Sequence, residues 1–181
     1  MKGIVFTEFL EMVESSFGYE VVDTIIESSN LPSGGAYTAV GTYAFSEMVE
    51  LLTNLSSTVK ISSQELLYTF GRFLFHSLER VHPEIIQNFK DPLHLLNAIE
   101  DHIHIQVKKL YPEAELPSFK FLSKTSTSIS MVYCSSRGLY ALAHGLIEET
   151  FARFEQSASI SYELLTDNGN EVKFDIQRNE Q

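Results

Sequence analysis

The spacing of apolar residues changes after Pro112 and Pro117, and that change constrains the fold more than anything else in the chain. Before it, apolar side chains recur every three or four residues, the period of a helix with one buried face. After it, segments alternate every two residues, the period of a strand. A chain that switches in this way needs helices packed against a sheet.

The helical part divides at its own punctuation. Residues 3–16 carry Val5, Phe6, Phe9, Leu10 and Val13 at helical spacing, and Gly18 interrupts them. Residues 19–29 read as a second short helix, and Leu31-Pro-Ser-Gly-Gly35 as a loop. Residues 43–58 bring Phe45, Met48, Val49, Leu52 and Leu55 into register. Ser62 and Glu65 have the spacing of a capping box. The helix behind them, with Leu66, Leu67, Phe70, Phe73, Leu74, Phe75 and Leu78, is apolar around much of its circumference and is expected to be deeply buried. Pro83 and Pro92 mark breaks, and Asp91-Pro92 suits the start of a helix over 92 to about 110.

Beyond Pro117, residues 119–124 and 126–135 alternate, with Ile129, Met131 and Tyr133 on one face. Helical spacing returns over 138–155, then alternation over 157–166 and 170–178 about the turn Asp167-Asn-Gly169. The expected fold is α+β. An N-terminal helical subdomain (1–60) packs on a C-terminal subdomain (61–181) of helices and a four-stranded antiparallel sheet, together one domain over 1–181.

Bulk properties exclude several functions. A net charge of -11 argues against neutralising nucleic-acid phosphates and favours a basic partner surface. The single cysteine, Cys134, rules out an internal disulfide and a cysteine-rich zinc site. No apolar run reaches the roughly 18 residues of a membrane span. The early Glu8 and Glu11 interrupt any secretion signal, so a cytoplasmic location is expected. No phosphate-binding glycine loop, zinc-protease helix or nucleophile elbow is present, so an enzyme is not expected.

Six histidines remain, and Asp101-His-Ile-His-Ile105 holds two of them. On a helix His102 and His104 point about 200° apart, so at most one faces an interior; periodicity does not choose. On an extended strand, Tyr133, Ser135 and Arg137 would project to one face and offer three donors, arginine with a fork suited to a carboxylate.

Taken together these segments resemble the haem-nitric oxide/oxygen-binding (H-NOX) family, of the stand-alone bacterial nitric oxide sensor type and similar to the haem domain of soluble guanylate cyclase. Met1-Lys-Gly3 before an amphipathic helix resembles the family's start, and Ile103-His104-Ile-Gln-Val107 its proximal-histidine segment. Pro117, thirteen residues after His104, resembles the proline that presses on the haem. Tyr133-x-Ser135-x-Arg137 matches the family's Tyr-x-Ser-x-Arg signature, and Gly145-Leu-Ile147 is similar as well. The resemblance implies haem b, with His104 as the iron ligand and Tyr133, Ser135 and Arg137 on the propionates. Val5, Phe9, Leu74, Leu78 and Leu142 would line the distal pocket.

The resemblance also speaks to the gas. Oxygen-binding members place a tyrosine five residues after the signature arginine, where this chain has Leu142. Phe9 and Leu74 stand where those members carry a tryptophan and an asparagine, and this chain has no tryptophan. Tyr140 lies on another face of that helix. The expectation is a sensor that binds nitric oxide and carbon monoxide, excludes oxygen, and signals to a separate histidine kinase or cyclic-di-GMP enzyme. The stretch Ser161–Phe174 lacks the cysteines of relatives with a zinc site. Two alternatives are a haem-free ligand-binding or scaffold module that kept the fold, and a peroxidase-like haem enzyme using His76.

Overall fold

Ser62 and Glu65 cap a helix as their spacing predicts. The Glu65 amide donates to Ser62 Oγ at 3.3 Å, and the Ser62 amide donates to Glu65 Oε2 at 3.2 Å. In the computed structural model, which describes residues 1–180, this helix is α4 (Ser63–Val81). Before it come α1 (Gly3–Phe17), α2 (Tyr19–Glu27) and α3 (Phe45–Val59). α1 ends at Gly18, whose φ of 89° suits glycine. It buries Ile4, Phe6, Phe9, Met12 and Val13, while Val5 and Leu10 lie at the edge of the buried face.

After α4 the chain forms α5 (Pro83–Ile86) and α6 (Pro92–Asn97), the latter capped by Asp91, which accepts from the His94 amide at 3.0 Å. The single helix expected over 92–110 is interrupted. The amides of His102 and Ile103 both donate to the Ala98 carbonyl, at 2.9 and 3.0 Å, which widens Ile99–Ile103 into a π-helical segment. α7 (His104–Leu110) comes directly after it. Such bulges recur at functional sites, and this one delivers His104.

The sheet comprises β1 (Ser118–Lys124), β2 (Ser128–Cys134), β3 (Ala158–Leu164) and β4 (Glu171–Arg178), in the order β1-β2-β4-β3 with every neighbouring pair antiparallel. α8 (Tyr140–Arg153) lies between β2 and β3 in the chain. Met131 pairs with Phe174 and Tyr133 with Val172, so the alternation read from the sequence becomes one apolar face: Ile129, Met131, Tyr133, Val172, Phe174 and Ile176 are all buried. Each such side chain contributes roughly 1.5–3 kcal/mol on burial. That face joins one continuous core with residues of α1–α4 and α8. α4 and α8 pack most closely at Gly71 and Gly145, where neither helix presents a Cβ. Among the described residues no helix is long and apolar enough to cross a membrane.

Candidate functional site

The elements around α4 enclose a cavity of about 310 Å3. Ile4 and Val5 of α1, Leu74 and Leu78 of α4, and Leu142 and Leu146 of α8 form one wall. His104 and Val107 of α7, with Leu116, Pro117 and Phe119, line it as well. Tyr133, Ser135 and Arg137 stand at one edge with Glu115. Volumes in this range suit small-molecule and cofactor sites.

Of the two neighbouring histidines, His104 lines the cavity, its side chain 15% exposed, whereas His102 is exposed and packs its ring 5.7 Å from that of Phe89. His104 Nδ1 lies 3.3 Å from Glu100 Oε1, which leaves Nε2 as the ring nitrogen with a free lone pair. Burial lowers the His104 pKa below the ordinary imidazole value, against the opposing pull of Glu100, and so favours the neutral ring that can ligate a metal.

The three donors converge, but not along a strand. β2 ends at Cys134, and Ser135–Gly138 is a turn in which Ser135 Oγ accepts from the Arg137 amide at 3.2 Å. Gly138 has φ 60°, and a Cβ there would sit 2.7 Å from the Asn168 carbonyl oxygen, so the turn that aims Arg137 depends on glycine. Tyr133 is held by the Leu139 amide, which donates to its hydroxyl at 3.0 Å, and burial pushes its phenol pKa up. The Arg137 guanidinium pairs with the Glu115 carboxylate and lies 5.5 Å from the Phe45 ring. That fork already donates to a carboxylate, the chemistry a propionate would present.

Phe9 does not line the cavity. It lies one turn beyond Val5, fully buried, with its ring 5.3 Å from that of Phe70 and in edge contact with it. Tyr140 is also outside, its ring 5.4 Å from that of Tyr162. His76, the candidate acid–base group of a haem enzyme, is 60% exposed and bonds Glu149 Oε1 at 2.8 Å rather than facing the cavity. Glu100 was missed by sequence reasoning, although a glutamate four residues before a histidine on a helix is a visible signal. His82 and Tyr111 were missed too. They line the cavity and share a 3.1 Å hydrogen bond between the ends of α4 and α7.

The residues fit haem: a large apolar slot, one half-buried neutral histidine on its wall, and a carboxylate-binding fork with two hydroxyls at its edge. Comparison with known proteins points the same way. Residues 2–162 match a family model described as Haem-NO-binding. No curated protein matches the chain. Among solved structures, the Fe(II) unliganded H-NOX protein from K. algicida is 48% identical over 100% of this chain and 98% of its own, with a TM-score of 0.97. The H-NOX from Shewanella woodyi, solved with IWP-051 bound in the Fe(II)CO state, is 39% identical over 99% of this chain and 95% of its own, TM-score 0.83. An H-NOX protein from S. oneidensis in the Fe(II)NO state is 29% identical over 99% and 100%, TM-score 0.91.

Proposed function

The chain belongs to the haem-NO-binding (H-NOX) family, and on that premise we propose that it is a nitric oxide sensor that holds ferrous haem b through His104 and excludes oxygen. Bound haem supplies the iron that takes the gas. The protein decides which gas is held and how its arrival is passed on. His104 would offer Nε2 to the iron, and Tyr133, Ser135 and Arg137 would hold the propionates. Pro117, which lines the same cavity, would pack against the bound group.

The observation that carries the gas assignment is the apolar wall formed by Val5, Leu74, Leu78 and Leu142. Bound oxygen carries partial negative charge and gains from a nearby donor; nitric oxide and carbon monoxide gain much less. A hydrogen bond to a charged group is worth about 1.5–3 kcal/mol, or roughly 10–150-fold in affinity. With leucine at position 142 that gain is missing.

Signalling depends on the tether. If His104 were released, α7 would lose its hold on the cavity and Pro117 its contact there. Helices α1–α3 then shift against the sheet-bearing remainder. A separate partner, a sensor histidine kinase or a cyclic-di-GMP enzyme, reads the change by preferring one arrangement. The protein acts as a cytoplasmic sensor rather than a catalyst.

One set of absorption spectra tests this: the reduced protein unliganded, with nitric oxide, and in air. We expect a five-coordinate ferrous Soret band, a nitrosyl that loses His104, and no oxygen complex. A stable ferrous-oxygen spectrum in air overturns the selectivity. A nitrosyl that keeps His104 and changes no partner's activity overturns the switch. No Soret band after expression with ample haem favours a haem-free module.

A further inference from the structure

Glu100 sits in the π-helical segment between the cavity-lining Ile99 and Ile103, and one of its oxygens stands between two groups. Oε1 lies 3.3 Å from His104 Nδ1, at the long end of hydrogen-bonding distance, and accepts from the Phe119 amide at 2.7 Å. Phe119 is two residues past Pro117, and its ring centroid lies 6.0 Å from the imidazole of His104. The carboxylate therefore joins the histidine of α7 to the start of β1 and the Pro117 segment.

A neutral imidazole has one N–H and one lone pair, and the partner of one nitrogen decides the role of the other. A carboxylate at Nδ1 keeps the proton there and turns Nε2, as the lone pair, toward the cavity. It also makes Nε2 a stronger donor than a neutral partner would, because negative charge at the far nitrogen raises ligand basicity. A stronger donor resists detachment.

We propose that Glu100 is a positioning residue for the iron ligand: its carboxylate fixes the Nδ1–H tautomer of His104, strengthens Nε2, and so sets how readily a bound gas detaches this histidine. This rests on the proposal that His104 holds haem iron. The two contacts on one oxygen also make Glu100 a joint. When His104 swings away, the Phe119 amide keeps the carboxylate in place, so the histidine leaves a fixed acceptor rather than dragging β1 with it.

The test uses Glu100→Gln, whose amide oxygen can still accept from Phe119, and Glu100→Leu, which cannot. In the haem-free chain, nitrogen NMR of the His104 ring reads the tautomer directly. The unmutated protein should hold the proton on Nδ1, and Glu100→Leu should move it toward Nε2. In the haem-loaded ferrous protein, the iron–histidine stretching frequency should fall in both variants. Conversion of the nitrosyl from six- to five-coordinate should quicken by about tenfold, the lower end of what outer ligand partners contribute. A tenfold gain for the ferrous over the ferric state would raise the midpoint potential by about 59 mV for one electron. A residue that only supported the fold would change melting temperature without moving tautomer, frequency or potential. Unchanged tautomer, frequency and conversion rate in both variants overturn the proposal. If the unmutated protein takes up no haem, the haem reading fails by itself, and the tautomer in the haem-free chain still decides whether Glu100 orients His104.

Discussion

Gly145→Ala is the substitution on which two general rules give opposite signs. By helix propensity alone, alanine in place of an interior glycine stabilises by about 0.4–1 kcal/mol. Packing says otherwise. A Cβ on Gly145 would lie 2.1 Å from the Tyr68 carbonyl oxygen and 3.0 Å from the Arg72 amide nitrogen. Across the same crossing, a Cβ on Gly71 would lie 2.2 Å from the Leu142 carbonyl oxygen. Both obstacles are backbone, so no rotamer change relieves them, and α4 and α8 must separate. Overpacking a core costs typically about 1–3 kcal/mol, and a contact of this depth belongs at or beyond the upper end. The net expectation is a loss of roughly 2 kcal/mol once the propensity gain is subtracted. For a chain of this size that is roughly 4–8 °C in melting temperature. Thermal unfolding followed by circular dichroism, on the haem-free and the loaded protein, measures it. Gly71→Ala should behave alike, and the double variant should cost less than the sum, because one separation relieves both contacts. A melting temperature that holds or rises in Gly145→Ala would refute the close crossing.

Two further outcomes are expected. Leu142→Tyr places a donor in the apolar wall, and oxygen titration of the ferrous protein should show affinity rising by roughly 10–150-fold; an unchanged affinity removes Leu142 as the gate. For Glu149, burial raises the carboxyl pKa, but the Arg72 Nε at 2.7 Å and the His76 Nε2 at 2.8 Å hold it below the usual carboxylate range. A depressed folded pKa adds stability above the unfolded carboxylate value that is lost as pH falls through the folded one. Between neutrality and about pH 3, the unmutated protein should therefore lose more melting temperature than Glu149→Gln; parallel profiles would show that this pair adds nothing.

The fold was legible where local chemistry and burial agree. The change of period at Pro117, the Ser62–Glu65 cap and the Asp91-Pro92 start all depend on neighbours within four residues, and each reappears in the structure. The π-helical segment was not legible, because no glycine or proline marks Ile99–Ile103 and its extra residue shows only in the shared Ala98 carbonyl. The site was legible in its members more than in its geometry. Tyr133, Ser135 and Arg137 do meet, yet through a turn, and Gly138 was the signal that the strand would end. Phe9 shares a helix face with Val5 but lies a turn too far along α1, and periodicity gives the face without saying how far along it the cavity reaches. Glu100 touches His104 through four residues of helix and β1 through nineteen residues of chain. Only the first of these contacts has a local trace.

The distribution of buried charge explains how so acidic a chain keeps a mostly apolar cavity. Three carboxylates are more than nine-tenths buried, and none lines the cavity wall: Glu8, Glu47 and Glu149. Glu47 and Glu149 are answered by hydrogen bonds at a junction between segments, whereas Glu8 has an ion-pair contact and its buried Oε2 accepts no hydrogen bond. Glu8 of α1 faces Arg80 of α4 at 3.6 Å; Glu47 of α3 accepts from Ser33 and, at 3.0 Å, from the Tyr37 hydroxyl; Glu149 joins α8 to α4. The Tyr37 phenol, buried and facing Glu47, is pushed up to about 12. A buried charge is tolerated only where partners surround it, so these clamps fix the helices from outside the slot. Most residues facing the slot are then free to be leucine, valine and isoleucine, its polar groups being His82, His104, Tyr111, Thr150 and the edge formed with Tyr133, Ser135 and Arg137. The His104–Glu100 contact and the His82–Tyr111 hydrogen bond tie α7 to its neighbours, so whatever loosens His104 acts on the helices that the clamps hold.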